Sequence, residues 1–177
     1  IVAGNWKMNG SVAFLRDYLK EFAEASGDLV SSDVQVIISP PVVLLSEFAA
    51  ASKDLNVQLS SQNVAAFEQG AFTGEVSAAM LKDIGCQWSL VGHSERRSLY
   101  GETNADVIKK VSQLLDVGIS PILCVGETRE EREADKAQAV VSEQLDAVLD
   151  SYSDEQLGNL VVAYEPVFID DSVQGFC

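Results

Sequence analysis

Short apolar runs rich in β-branched residues recur about every 30 residues along the chain, separated by stretches of helical periodicity. The runs that predict strands are Ile1–Asn5, Val34–Ser39, Val57–Ser60, Trp88–Val91, Ile119–Val125 and Leu160–Tyr164. Most are near-continuous rather than alternating, as expected of parallel strands covered on both faces. Between them, Leu15, Tyr18, Leu19 and Phe22 fall at i, i+3, i+4, i+7. Val107, Val111, Leu114 and Leu115 share a second face, with Asn104 as N-cap and Gly118 as stop. Val141, Leu145, Val148 and Leu149 form a third stripe. A shorter helix is expected over Val76–Ile84, ended by Gly85. Pro40 and Pro41 close the second strand before a helix around Val43–Ala51. The charge-dense run Glu127 to Lys136 is expected to be a solvated loop and a first helical turn.

Strict alternation of strand and helix means an α/β fold with a parallel sheet, either a closed (βα)8 barrel or a doubly wound open sheet. No Gly-x-Gly-x-x-Gly follows the first strand, where Gly4-Asn5-Trp6-Lys7-Met8-Asn9-Gly10 stands instead. That weakens a dinucleotide-binding reading. A length of 177 residues with 47% hydrophobic positions suits one domain with one core. The net charge of -15, with no basic stripe, argues against nucleic acid or an anionic membrane as partner. No bilayer-spanning run and no signal peptide is visible. Cys86, Cys124 and Cys177 are widely spaced and odd in number, which reads as reduced thiols in a cytosol-like compartment. One histidine and scattered cysteines offer no zinc-site spacing.

Three reactive side chains stand at strand exits: Lys7 after the first run, His93 after the fourth and Glu165 after the sixth. In a parallel βα fold the exits face one way, so these residues converge. A lysine offers a compact cation, a histidine a proton donor or acceptor near neutral pH, and a glutamate a base. Together they suit proton abstraction next to a carbonyl, with the resulting oxyanion stabilised by the other two. Each also has a plainer reading: a hydrogen-bonded structural histidine, a solvated lysine, a capping or ion-paired glutamate. Trp6 and Trp88 read as packing residues.

Five motifs carry a family resemblance: Gly4-Asn5-Trp6-Lys7-Met8-Asn9, Gly70-Ala71-Phe72-Thr73-Gly74-Glu75-Val76-Ser77, Val91-Gly92-His93-Ser94-Glu95-Arg96-Arg97, Pro121-Ile122-Leu123-Cys124-Val125-Gly126-Glu127 and Ala163-Tyr164-Glu165-Pro166-Val167. In order and spacing, from Ile1 to about Val167, the chain resembles triosephosphate isomerase. The resemblance implies a (βα)8 TIM barrel and a glycolytic and gluconeogenic isomerase of the cytoplasm. It would interconvert dihydroxyacetone phosphate and D-glyceraldehyde 3-phosphate through an enediol(ate), without cofactor or metal. It also implies the residue roles. Lys7 would be the electrophilic cation and phosphate-side contact, with Asn5 beside it. His93 would polarise the carbonyl as a neutral imidazole, and Glu165 would move the proton. Glu95 would hold Lys7 from behind, with Ser94 next to it. Thr73 would reach towards the sister subunit of a homodimer.

The family's barrel has about 250 residues and eight βα units, whereas six strands are readable here. The chain therefore reads as a single domain, 1–177, with strands seven and eight largely absent and a truncation or internal deletion after about residue 168. Phe168-Ile169-Asp170-Asp171 stands where the family has its lid, and the tail Ser172-Val173-Gln174-Gly175-Phe176 resembles the start of the family's eighth strand. The alternative expectation is a catalytically inactive family member with a structural or interaction role.

Overall fold

The computed structural model describes residues 1–29 and 34–166. Six strands, β1 (Val2–Asn5), β2 (Val36–Ser39), β3 (Gln58–Ser61), β4 (Trp88–Val91), β5 (Ser120–Val125) and β6 (Val161–Tyr164), form one sheet in the order β1-β2-β3-β4-β5-β6. Every pairing is parallel. Each strand thus neighbours the next in sequence, which excludes the doubly wound form, whose strand order reverses. The observed strands fall within two residues of the expected ones; β3 is displaced by one, to Gln58–Ser61.

Helices fill the crossovers: α1 (Val12–Leu29), α2 (Leu45–Ala51, entered through a 3-10 turn at Val42–Leu44), α3 (Ala78–Ile84), α4 (Ser94–Tyr100), α5 (Asn104–Asp116), α6 (Arg129–Glu133) and α7 (Ala137–Leu149). Their apolar stripes cover the outer face of the sheet. Leu15, Leu19, Phe48, Leu81, Val107, Val111, Leu114 and Val148 pack there with Ile38, Leu59, Val91, Leu123 and Val125 of the strands. The alternate strand residues Ile37, Trp88, Leu90, Ile122 and Cys124 make a second cluster with Val161 and Ala163, and no helix contributes to it. Burial of that face follows from curvature. Ile37 on β2 is fully buried in a cluster whose other buried members lie on β4 and β5. In a flat sheet β2 and β4 would lie about 9.5 Å apart, leaving such a face open to water. The sheet is a curled half-barrel with β1 and β6 as its edges among the described residues.

Four local expectations change. The cap of α5 is Thr103, not Asn104: its hydroxyl accepts from the Asp106 amide while Asp106 reaches back to the Thr103 N–H. Asn104 is the first helical residue, and its side chain accepts a bond from Arg97 instead. Leu149 is 46% exposed, so the α7 stripe ends at Val148. The run after β5 is only partly solvated. Arg129–Glu133 is a helix capped by Thr128, and Glu127 is fully buried. Finally, α4 follows His93 directly, where no helix was expected. The expectations for Phe168 to Cys177, including Asp170 and Asp171, lie outside the described residues.

Candidate active site

All six strands end on the same side, and the loops there carry the reactive residues. Lys7 lies two residues beyond β1. Trp6 before it is buried and packs edge-on against Phe14 and Tyr18 of α1, at 5.1 and 5.2 Å between ring centroids. That contact anchors the β1–α1 turn. Lys7 itself holds a left-handed backbone, φ 51°, a conformation costing a non-glycine residue about 1–2 kcal/mol. Two side chains maintain it. Asn5 Oδ1 accepts the Lys7 N–H at 2.9 Å, and Gln62 Nε2 donates to the Lys7 carbonyl at 2.8 Å and to that of Ser39 at 2.9 Å. The Lys7 ammonium lies 3.1 Å from Glu95 Oε1.

His93 caps α4 and is buried. Its Nδ1 accepts the backbone N–H of Glu95 at 3.2 Å. An accepting Nδ1 leaves the proton on Nε2 in the neutral ring. That Nε2 lies 3.4 Å from Glu165 Oε2. Gly92 precedes His93 at φ +71°, and a Cβ there would meet Arg97 Nη2 at 2.9 Å and Val107 Cγ2 at 3.1 Å. Only glycine fits that turn without displacing its neighbours. Glu165 follows β6 directly, its N–H bonded to the Val125 carbonyl at 2.9 Å.

Lys7, His93, Glu95 and Glu165 thus form a chain of contacts, and Asn5 supports its first member. Asn5, Lys7, His93 and Glu95 line a cleft of about 380 Å³ together with Gln62, Gly74 and Glu75. Ser94 and Glu165 line a separate cavity of about 240 Å³ with Arg97, Gly126 and Gln144. Thr73 is exposed on the loop ahead of α3 and does not join the group.

Several supports escaped the sequence reading. Glu102, 9% exposed, accepts the Gly92 N–H through Oε1 at 3.1 Å, and Arg96 at 2.8 Å and Lys110 through Oε2. Lys110, also buried, bonds Asn63 as well. Burial alone would raise the Glu102 pKa; the hydrogen bonds and charges of Lys110 and Arg96 outweigh it and hold the carboxyl below its ordinary value. Glu127 behaves alike. Desolvation pushes it up, but bonds from Arg132 at 2.8 Å and the Tyr164 hydroxyl at 3.1 Å bring it below the ordinary range. Burial pushes the Cys124 thiol, next to this network, up to about 12, with Glu165 adding to the shift. A base eight residues after an acid, Lys110 after Glu102, was the available signal, but only the fold shows that both are buried.

These carboxylates contribute to the acid stability. A carboxyl whose folded pKa lies below the unfolded value stabilises the native state above the unfolded value and loses that contribution as pH falls through the folded one. Stability is therefore expected to fall progressively below about pH 4.5, the ordinary value of both groups. Urea unfolding followed by tryptophan fluorescence checks this. Glu102→Gln is expected to flatten the pH slope below 4.5 relative to the unaltered protein. An unchanged slope would show that Glu102 is not among the groups responsible.

Among the described residues no helix is long and apolar enough to cross a membrane, and no group of three or more His, Cys, Asp or Glu is placed to hold a metal ion.

Residues 1–169 match the triosephosphate isomerase family profile. The chain is 48% identical over 168 residues to the triosephosphate isomerase of Marinobacter nauticus, covering 95% of this chain and 66% of that protein. It is 47% identical to that of Hydrogenovibrio crunogenus, over 94% of this chain and 66% of the relative. For Halorhodospira halophila the identity is 45%, over 95% and 65%. The chain thus spans about two thirds of the length of the curated relatives it matches. A parallel sheet of consecutive strands, a lysine, histidine and glutamate gathered at its exits, and a match over almost the whole chain place this protein in the triosephosphate isomerase family.

Proposed function

We propose that the site interconverts dihydroxyacetone phosphate and D-glyceraldehyde 3-phosphate, as a step of glycolysis and gluconeogenesis. The observation that carries this reading is the His93–Glu165 pair. The Glu95 N–H on Nδ1 leaves Nε2–H as a donor, and a carboxylate oxygen lies 3.4 Å away. A substrate whose carbonyl oxygen met Nε2–H would set its neighbouring carbon against that carboxylate.

Glu165 then takes the proton from the carbon beside the carbonyl, and the C–H electron pair forms the enediolate C=C bond. The carbonyl π pair moves onto oxygen, where His93 Nε2–H and the Lys7 ammonium stabilise it. His93 carries the proton between the two oxygens, and Glu165 returns its proton to the other carbon. Substrate and product have the same atoms and the same oxidation level overall, so the chemistry calls for no cofactor. Lys7 also suits the substrate's phosphate, with Asn5 and Gln62 holding its backbone in place and Glu95 bonded to its ammonium.

The same reading includes a homodimer. Phe67 and Phe72, stacked at 4.1 Å, stay 47% and 39% exposed on the loop that carries Thr73, as suits a contact with a second copy. It also includes a cytoplasmic setting, which the buried free thiols of Cys86 and Cys124 suit.

The purified protein is expected to isomerise either triose phosphate in a coupled assay. It is also expected to bind a phosphorylated enediolate mimic competitively, with a shift of the His93 Nε2 resonance. Absence of both turnover and mimic binding would rule the reading out.

A further inference from the structure

We infer that Gln144 of α7 is a positioning residue for Glu165, acting through the peptide groups of Gly126. Gln144 lies on the same face of α7 as Val141, Leu145 and Val148, which pack against the core. An amide on an apolar face costs free energy unless both its ends are bonded. Both ends of Gln144 engage one residue. Its Oε1 accepts the Gly126 N–H at 2.9 Å, and its Nε2 donates to the Gly126 carbonyl at 3.1 Å. Leucine has neither group, and an ionised glutamate lacks the donor.

Gly126 in turn carries the backbone of Glu165. Val125 pairs with Tyr164 at the end of the β5–β6 ladder. The next residues, Gly126 and Glu165, therefore lie side by side, so closely that a Cβ on Gly126 would stand 1.8 Å from the Glu165 carbonyl oxygen. The Glu165 N–H bonds Val125, one residue before Gly126. The height of the Gly126 peptide thus sets the backbone from which Glu165 reaches His93. Gln144 and Glu165 also line the same cavity of about 240 Å³. Release of the amide frees Gly126 to rotate and moves the carboxylate against Nε2. Its kinetic consequence rests on the isomerase reading above.

The test uses the full chain with Gln144→Leu, and Gln144→Met as a second variant should leucine impair folding. Two readouts are taken. The first is NMR of the 13C-labelled Glu165 carboxyl and the 15N-labelled His93 ring, with the Trp6 indole as an internal control. Both site signals are expected to move while Trp6 stays; site signals unchanged in a folded variant would overturn the inference, whether or not the protein turns over. The second is kinetic. kcat is expected to fall about tenfold or more, as ångström-scale misplacement of a reacting group does, with KM within about twofold. In a Glu165→Asp background the same change is expected to cost much less, because both substitutions displace one carboxylate. A full, additive cost there, or a lower melting temperature with unchanged kcat, would reduce Gln144 to a structural role. Absence of both turnover and mimic binding in the unaltered protein would sink the isomerase reading alone, and the NMR signals would still decide for or against Gln144.

Discussion

Glu165→Gln is expected to lower kcat by about three orders of magnitude or more, the upper range for removing a general base, while leaving the fold intact. The amide matches the carboxylate in size and keeps an oxygen facing His93 Nε2, 3.4 Å away in the unaltered protein. What it loses is the capacity to take a proton from carbon. KM is expected to stay level or fall, because a negative charge leaves the neighbourhood of an anionic substrate. His93→Gln is expected to act at the other end of the same step. An amide N–H still reaches the substrate oxygen but carries no proton between the two oxygens, so the loss is about a hundredfold or more. Steady-state kinetics together with exchange of the substrate's C–H into deuterated water checks both. Solvent exchange at the full rate in Glu165→Gln would mean that another group is the base.

The architecture was legible because its signals are local. Mostly near-continuous apolar runs marked the strands to within two residues, and 3.6-residue stripes marked the longer helices. A helix escaped where the stripe is missing. α4 reads Ser-Glu-Arg-Arg-Ser-Leu-Tyr and buries none of its residues, so no apolar period announces it. Its existence depends on His93 and Gly101 as terminal residues, and on Arg96 and Arg97 reaching Glu102 and the Gly92 carbonyl.

The reactive trio was legible through topology, since parallel strands bring their exits together. Its supports were not, because each depends on a contact made across the fold. Gln62 reads as an ordinary polar loop residue until its amide is seen bonded to the carbonyls of both Lys7 and Ser39. Glu127 opens the most charged run of the chain, and charge density predicts solvent. Its burial follows from Tyr164, 37 residues away, and from Arg132 on α6 covering its oxygens. Gln144 left the clearest trace, as one amide on an apolar helical face. Such a break in a stripe marks either an error of register or a bond waiting to be found.

Gly126→Ala is expected to damage stability and activity together, and to do so without touching a reactive group. The added methyl carbon would stand 1.8 Å from the Glu165 carbonyl oxygen and 2.8 Å from its carbonyl carbon. Both are backbone atoms, so no rotamer relieves the clash, and the exits of β5 and β6 must separate by roughly an ångström or more. That separation pulls on the bond between the Glu165 N–H and the Val125 carbonyl, and on the two bonds between Gln144 and Gly126. Overpacking at a rigid contact costs about 1–3 kcal/mol, and each weakened bond adds about 1 kcal/mol. A melting temperature lower by several degrees is the expected reading. Below that temperature the folded fraction is expected to turn over about a hundredfold more slowly, because the carboxylate no longer starts from the same backbone position. Calorimetry and kcat per folded molecule separate the two effects. A variant that melts with the unaltered protein and keeps its kcat would show that the β5 and β6 exits can part freely, and that the Gly126 contact does not position Glu165.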